Sequence, residues 1–225
     1  MDIGGDHQVL RAFFIVQIDD ASARRGVLAD MLGGEAGGLF ACSSLTGVVR
    51  RQSDRGVMLV HDCDDLVGPL IGRAEAGVPA SPWSRWPWIA YSEGPAVNRI
   101  VKAMRAGAAG YLEWPFDLGT LKTELAHLEC HAVFRPSGRR VREQARARLA
   151  GLTRRELEVL GGVSSGLSSR EIGERLGIRA RTVELHRSTF KRKLGMRSLS
   201  EVLRLAFEAE LVPSPALWGP GRLAG

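Results

Sequence analysis

The segment from Arg181 to Lys193 places charged and polar side chains at helical spacing, in a combination that suits nucleic acid. Residues three and four positions apart share one face of an α-helix. A carboxylate accepts from cytosine N4, a leucine side chain contacts a thymine methyl group, and a hydroxyl bonds to several base edges. We therefore predict base contacts at Glu184, Leu185 and Ser188. Phosphate contacts position a protein on DNA and give salt-dependent affinity. We predict them at Arg181, Thr182, Arg187, Lys191 and Lys193.

Three capping boxes surround this segment and predict consecutive short helices. Each pairs a hydroxyl residue with a glutamate three positions on: Thr153 with Glu156, Ser168 with Glu171, and Ser198 with Glu201. The hydroxyl accepts from the N–H of the glutamate, whose side chain reaches back to the cap. The apolar periodicity then predicts helices at about 154–165, 169–176 and 180–194 and a fourth around 202–207. A short helix, a turn containing Gly177 and a longer helix form a helix-turn-helix, whose second helix enters the major groove of DNA.

A second set of chemically capable side chains follows apolar runs in the first half of the chain. Asp19 and Asp20 follow the first run, Asp62 follows the third, and Ser92 follows the fourth. Such runs predict buried strands, and the carboxyl ends of parallel strands meet at one crevice. Carboxylates that converge there form a site of the kind that Mg²⁺ prefers. The alternative is that these are surface carboxylates that cap helices.

The apolar runs alternate with helical patterns and so predict the architecture. The runs lie at 12–18, 39–42, 57–61, 86–91 and 109–113, and helical patterns include 21–32, 96–106 and 118–131. Strands that alternate with helices predict an α/β fold with a five-stranded parallel sheet covered on both faces.

The charge distribution divides the chain into an acidic and a basic part. Residues 1–134 hold 12 Lys and Arg against 16 Asp and Glu, a net charge of −4, whereas residues 135–225 hold 19 against 9, a net charge of +10. A basic domain suits a polyanion. We predict an α/β domain at 10–134, a partly helical linker at 135–147, an all-α four-helix domain at 148–213 and a flexible tail at 214–225.

The composition excludes several other classes of protein. The three cysteines, Cys42, Cys63 and Cys130, form no CxxC pair, which argues against a disulfide framework or a structural zinc site. The sequence has no apolar stretch long enough to span a membrane and no signal-peptide pattern, so we expect a cytoplasmic protein without membrane contact. It also lacks a Gly-rich phosphate loop, a nucleophile elbow and a Cys–His pair, and we expect no enzyme.

The second half of the chain resembles the LuxR-type helix-turn-helix domain, in particular its FixJ/NarL response-regulator branch. The resemblance spans about residues 148–211 and lies in the runs LTRRELEVL at 152–160, GLSSREI at 166–172, RTVELHR at 181–187 and RKLG at 192–195. It implies a sequence-specific transcriptional regulator whose partners are double-stranded DNA, a second copy of the chain, a sensor histidine kinase and RNA polymerase. The alternative is a four-helix domain that binds protein rather than DNA.

The first half resembles a receiver domain, which has a flavodoxin-like fold. The resemblance implies that Asp62 accepts a phosphoryl group and that Mg²⁺ binds among Asp19, Asp20 and Asp62. It implies no tightly bound cofactor. It assigns the switch positions to Ser92, Tyr111 and the residue before Pro115, which is Trp114 here.

Two departures from the receiver pattern affect the predicted chemistry. Receivers carry a lysine where this chain has Trp114, and an indole offers only one neutral N–H donor. Asp64 and Asp65 follow Asp62, and their charges repel an incoming phosphoryl group. Two interpretations therefore stay open: a response regulator switched by phosphorylation, and an atypical regulator whose receiver serves dimerisation or partner binding.

Overall fold

The first half of the chain folds around a parallel sheet. The computed structural model describes residues 10–45, 56–75, 86–133 and 138–211. The five strands are β1 (Phe14–Ile18), β2 (Gly38–Cys42), β3 (Gly56–His61), β4 (Trp88–Glu93) and β5 (Gly110–Trp114). They pair in parallel in the order β2-β1-β3-β4-β5, which is the order of flavodoxin-like sheets. The predicted α/β class is confirmed.

Helices follow the strands along the chain, as parallel connections require. They are α1 (Ser22–Leu32) after β1, α2 (Gly68–Glu75) after β3, α3 (Val97–Arg105) after β4 and α4 (Leu118–Val133) after β5. Helix α1 ends at Gly33, whose φ of 43° lies in the left-handed region that favours glycine.

The core of this unit lies against the sheet. Ile15, Leu59 and Ile89 of the central strands are fully buried with Leu28 of α1 and Leu121 of α4. Burial of aliphatic side chains from strands and helices together is what fixes the register of a parallel sheet. Because β1, β3 and β4 are neighbours in the sheet, their carboxyl ends lie side by side. The ends of β1 and β3 carry the predicted acids, and the end of β4 carries Ser92.

The second half is helical. Its helices are α5 (Gly138–Leu149), α6 (Arg154–Ser164), α7 (Ser169–Leu176), α8 (Ala180–Leu194) and α9 (Leu199–Glu208). All three predicted capping boxes form, with both reciprocal hydrogen bonds present at the starts of α6, α7 and α9. Each box satisfies two N–H groups that the first helical turn otherwise leaves without partners.

Helix α5 covers the end of α9 and belongs to the packing of the helical unit. Arg146 Nε donates to the carbonyl oxygen of Ala209 at 3.0 Å, and Arg142 forms an ion pair with Glu210. Ala145 and Leu149 are buried. The segment 138–147, which we predicted as part of a linker, is thus a packed helix, while residues 135–137 and the predicted tail at 214–225 lie outside the described residues.

The chain divides into two units, Met1–Gly94 with Arg105–Phe134, and Pro95–Met104 with Arg135–Gly225. Across the described ranges, no helix has the length and apolar character that crossing a membrane requires.

Candidate functional site

Helix α8 has one buried face and one exposed face. Val183 and Phe190 are fully buried, which anchors the helix on the domain core. Glu184 and Ser188 are exposed, and the Leu185 side chain is 66% exposed. These three residues share the exposed face of a helix whose last turn carries the cations Lys191, Arg192 and Lys193.

The turn between α7 and α8 depends on a close approach of two backbone segments. A Cβ atom on Gly173 would lie 2.6 Å from the carbonyl oxygen of Ile178, a distance that no side chain tolerates. Gly177 ends α7 with a φ of 65°. The sequence pattern pointed to Gly177 as the breaker, but Gly173 looked like an ordinary helical residue, and its role becomes visible only in the packed turn.

The predicted phosphate contacts separate into two groups. Arg181 is exposed, and Thr182 and Lys191 are partly exposed. Arg187 instead donates to the Ser169 hydroxyl at 3.1 Å, and Lys193 Nζ donates to Glu156 Oε2 at 2.9 Å. Arg187 and Lys193 therefore also hold α8 against neighbouring helices.

Glu156 connects α8 to the capping box of α6. Burial raises the pKa of its carboxyl, but hydrogen bonds from Lys193 and Thr153 outweigh burial and leave the pKa below its ordinary value. The ionised carboxylate thus accepts both from the Thr153 backbone N–H at 2.7 Å and from Lys193. The sequence predicted the capping role of Glu156 but not its ion pair, because 37 residues separate the two partners.

The exposed face of α8 continues into a shallow pocket of about 180 Å³. Its lining consists of Glu184, Arg187, Ser188, Lys191 and Leu199. Two of the three predicted base-contact residues therefore share one concavity with two cations.

Asp19 lies buried at the end of β1, where every acceptor position of its carboxylate is used. Arg24 donates to both oxygens, through Nε at 2.9 Å and Nη2 at 3.0 Å. The Tyr91 hydroxyl donates to Oδ2, and the Ala21 N–H donates to Oδ1 at 2.8 Å. Although burial raises the pKa of Asp19, the hydrogen bonds from Arg24, Tyr91 and Ala21 outweigh burial and lower the pKa.

Arg24, which the sequence did not single out, contacts both acids of this crevice. Its Nη2 also donates to Asp20 Oδ1 at 3.1 Å and lies 3.2 Å from His61 Nδ1. An arginine at this point of a helix usually faces solvent, so nothing in the sequence distinguished Arg24 from a surface residue. The predicted Mg²⁺ does not fit these residues as they stand, because a guanidinium occupies the space between the two acids.

Asp62, Ser92 and Tyr111, which we predicted to belong to one site, lie close together in the structure. The Tyr111 hydroxyl donates to Asp62 Oδ2 and lies 2.8 Å from the Ser92 hydroxyl. Asp62 follows β3, and its N–H donates to the carbonyl oxygen of Tyr91. The Tyr111 hydroxyl therefore already bonds to the carboxylate, and the Ser92 hydroxyl bonds to Tyr111.

Trp114 packs into an aromatic cluster and does not replace the charge of a lysine. Its ring centroid lies 5.9 Å from that of Tyr91 and 5.3 Å from that of Phe116. The peptide bond that joins it to Pro115 is cis. Because the Tyr91 hydroxyl donates a hydrogen bond to Asp19, this aromatic cluster lies next to the acidic crevice.

A different set of metal-ligating side chains also lies close together in the part of the chain that the structure describes. Ligand atoms of Asp20, His61 and Cys63 lie within 4.8 Å of one another. Arg24 Nη2 contacts Asp20 and His61, so two of the three ligand atoms already lie beside a guanidinium.

Comparison with known proteins adds to this geometry. Residues 150–206 match the family model of the luxR family of bacterial regulatory proteins. The chain is 34% identical over 118 residues to the transcriptional regulatory protein FixJ of Azorhizobium caulinodans, covering 52% of this chain and 56% of that protein. It is 35% identical over 113 residues to the C4-dicarboxylate transport transcriptional regulatory protein DctR of Rhodobacter capsulatus, covering 48% and 55% of the two chains.

A solved structure of full-length FixJ from B. japonicum is 27% identical, with a TM-score of 0.42, and the match covers 88% of this chain and 98% of that one. The chain spans little more than half the length of the curated relatives named above. Residues 150–206 are thus similar to the luxR family of bacterial regulatory proteins, and the chain is similar to the transcriptional regulatory protein FixJ.

Proposed function

We propose that this protein is a sequence-specific DNA-binding transcriptional regulator of the FixJ/NarL response-regulator type. The observation that carries the proposal is the exposed face of α8, where Glu184, Leu185 and Ser188 are all accessible to solvent. The LuxR family match over residues 150–206 supports the same assignment. In this proposal α8 enters the major groove, as the second helix of a helix-turn-helix does.

In this proposal the protein recognises DNA through two kinds of contact. Glu184, Leu185 and Ser188 read base edges, while Arg181, Thr182 and Lys191 bind phosphates. Arg187 and Lys193 add positive charge to the same surface, although each also bonds inside the domain. Phosphate contacts supply affinity for any sequence, and base contacts supply the discrimination.

Alanine substitution of Glu184 or Ser188 should reduce discrimination without abolishing DNA binding. A preferred site is first selected from a random duplex pool with the full chain, and affinity is then measured for that site and for a scrambled duplex. We expect the ratio of the two affinities to fall roughly 5- to 100-fold in each variant, since a base contact contributes about 1–3 kcal/mol. Affinity for the scrambled duplex should not fall in either variant, and it should rise somewhat in Glu184→Ala, because this substitution removes a negative charge from the surface that faces the phosphates.

Glu174→Ala serves as the matched control, because Glu174 is an exposed glutamate of α7 that pairs with Arg170. This variant should keep the wild-type ratio. An unchanged ratio in both α8 variants would refute the base-reading role of this face.

A second candidate function concerns control of the regulator, and Trp114 favours it. A phosphoryl group on Asp62 lacks a lysine ammonium here, since Trp114 packs with Tyr91 and Phe116. Charge-assisted hydrogen bonds are about twice as strong as neutral ones. We therefore propose that the receiver-like domain responds to a partner or to dimerisation and not to phosphorylation of Asp62.

Incubation of the full chain with a small acyl phosphate and Mg²⁺ should leave its intact mass unchanged. Mass spectrometry under conditions that preserve acyl phosphates makes the measurement. A FixJ-type relative treated in parallel checks the phosphodonor, and Asp62→Asn identifies the site. Addition of one phosphoryl group to the wild type but not to Asp62→Asn would overturn this candidate and favour phosphorylation by a sensor histidine kinase.

The remaining assignments follow from the proposed DNA binding. The protein acts by binding and not by catalysis, and we propose a homodimer on paired half-sites, contact with RNA polymerase, and a place in the cytoplasm with the DNA that it regulates.

A further inference from the structure

Arg24 lies between the two acids that a receiver uses to hold a divalent cation. We infer that Arg24 is a built-in cation that takes the place of Mg²⁺ and excludes it from this crevice. The inference concerns only the α/β domain and is independent of DNA binding by α8.

The carboxylate of Asp19 has no lone pair left for a metal. A carboxylate offers about four lone-pair positions, two on each oxygen. Arg24 Nε and the Tyr91 hydroxyl take those of Oδ2, while Arg24 Nη2 and the Ala21 N–H take those of Oδ1. Since Asp19 is fully buried, no water-exposed oxygen of this residue is available to an incoming ion.

The second acid is bridged to the first by the same guanidinium. Arg24 Nη2 lies 3.0 Å from Asp19 Oδ1 and 3.1 Å from Asp20 Oδ1. Mg²⁺ requires oxygens at about 2.0–2.1 Å in an octahedron. An ion that chelates both acids would therefore have to occupy the position of this nitrogen.

Charge adds to the steric conflict. A guanidinium keeps its proton in proteins and cannot relieve repulsion by losing it. Two cations about 4 Å apart repel strongly even at the effective dielectric of a protein surface. The contact of Nη2 with His61 Nδ1 at 3.2 Å further fixes the guanidinium on the β3 side of the crevice.

The crevice is consequently complete without a divalent ion. The positive charge that a receiver recruits from solution is covalently part of α1, whose Arg24 lies five residues after Asp19. Phosphoryl transfer that needs a metal to neutralise the developing charge would therefore lack that metal here.

Mg²⁺ titration of the full chain tests the inference by calorimetry. We expect no saturable binding by the wild type in the millimolar range. Arg24→Gln removes the charge but keeps an N–H donor for Asp19, and it should bind Mg²⁺ at least about ten-fold more tightly than the wild type does. Arg25→Gln is the matched control, because Arg25 donates to the backbone carbonyl of Asp19 and not to its carboxylate; it should bind no better than the wild type.

Three results would overturn the inference: saturable Mg²⁺ binding by the wild type as tight as that of Arg24→Gln, no gain in a folded Arg24→Gln, or an equal gain in both variants. Circular dichroism establishes that each variant is folded. If Arg24→Gln does not fold, the melting temperature of the wild type decides, since a ligand of the native state raises it. An unchanged melting temperature with Mg²⁺ supports the inference, and a raised one contradicts it.

Discussion

Asp19→Asn should destabilise the α/β domain by about 3 kcal/mol, because it removes one partner of a buried ion pair. The carboxylate of Asp19 is fully buried and accepts from Arg24, Tyr91 and Ala21. An asparagine leaves the guanidinium without its bidentate acceptor and turns an N–H group toward donors. Such a loss is a large share of the roughly 5–15 kcal/mol that stabilise a domain.

Urea unfolding monitored by tryptophan fluorescence measures this effect, since Trp86, Trp88 and Trp114 all lie in the α/β domain. Asp20→Asn is the control, because Asp20 pairs with the same arginine but its side chain is 60% exposed. Exposed pairs contribute about 0–1 kcal/mol. Equal destabilisation by the two substitutions would contradict the distinct role assigned to Asp19.

The same carboxylate makes stability depend on pH in a defined direction. The folded pKa of Asp19 is lower than its ordinary value of 3.8, despite burial, because hydrogen bonds from Arg24, Tyr91 and Ala21 favour the ionised form. The stabilisation is present above the unfolded pKa and is lost as pH falls through the folded pKa. Asp19→Asn should lack this acid-dependent component.

Simultaneous replacement of Arg181 and Lys191 by alanine should weaken binding to every DNA sequence by on the order of 10- to 100-fold. Both residues lie on α8, where Arg181 is exposed and Lys191 is partly exposed, whereas Arg187 donates to the Ser169 hydroxyl. Each phosphate contact contributes about 0.9 to the slope of log affinity against log salt concentration. The slope should therefore fall by about 1.8 for each protomer, with discrimination between sequences retained.

Fluorescence anisotropy over a series of salt concentrations gives both the affinity and the slope. Arg142→Ala is the matched control: it also removes a cation from the helical domain, but Arg142 belongs to α5 and pairs with Glu210. We expect this control to keep the wild-type slope. A double variant with the wild-type slope would show that neither α8 residue neutralises a phosphate.

Much of the helical domain was predictable because its signals are local. A capping box uses only four consecutive residues, so Thr153 and Glu156 predict the start of α6 whatever the rest of the chain does. Apolar periodicity likewise predicted a helix at about 180–194, and α8 spans Ala180–Leu194.

Contacts between distant residues were not predictable in this way. The pair of Lys193 with Glu156 and the close approach of Gly173 to Ile178 arise only where two helices cross. Lys193 looked like one more cation for phosphate, and only the packed domain gave it a partner of its own.

The sequence alone determined the two-part organisation, the parallel sheet, the helix-turn-helix and the positions of the acids at the ends of β1 and β3. Each depends on periodicity, capping or charge within a short stretch of chain. Only the tertiary structure decided what those acids face, because the crevice is assembled from residues of β1, α1, β3 and β4 that no local pattern relates. The folding of α1 beside the end of β1 brings Arg24, which the sequence did not single out, into contact with both acids.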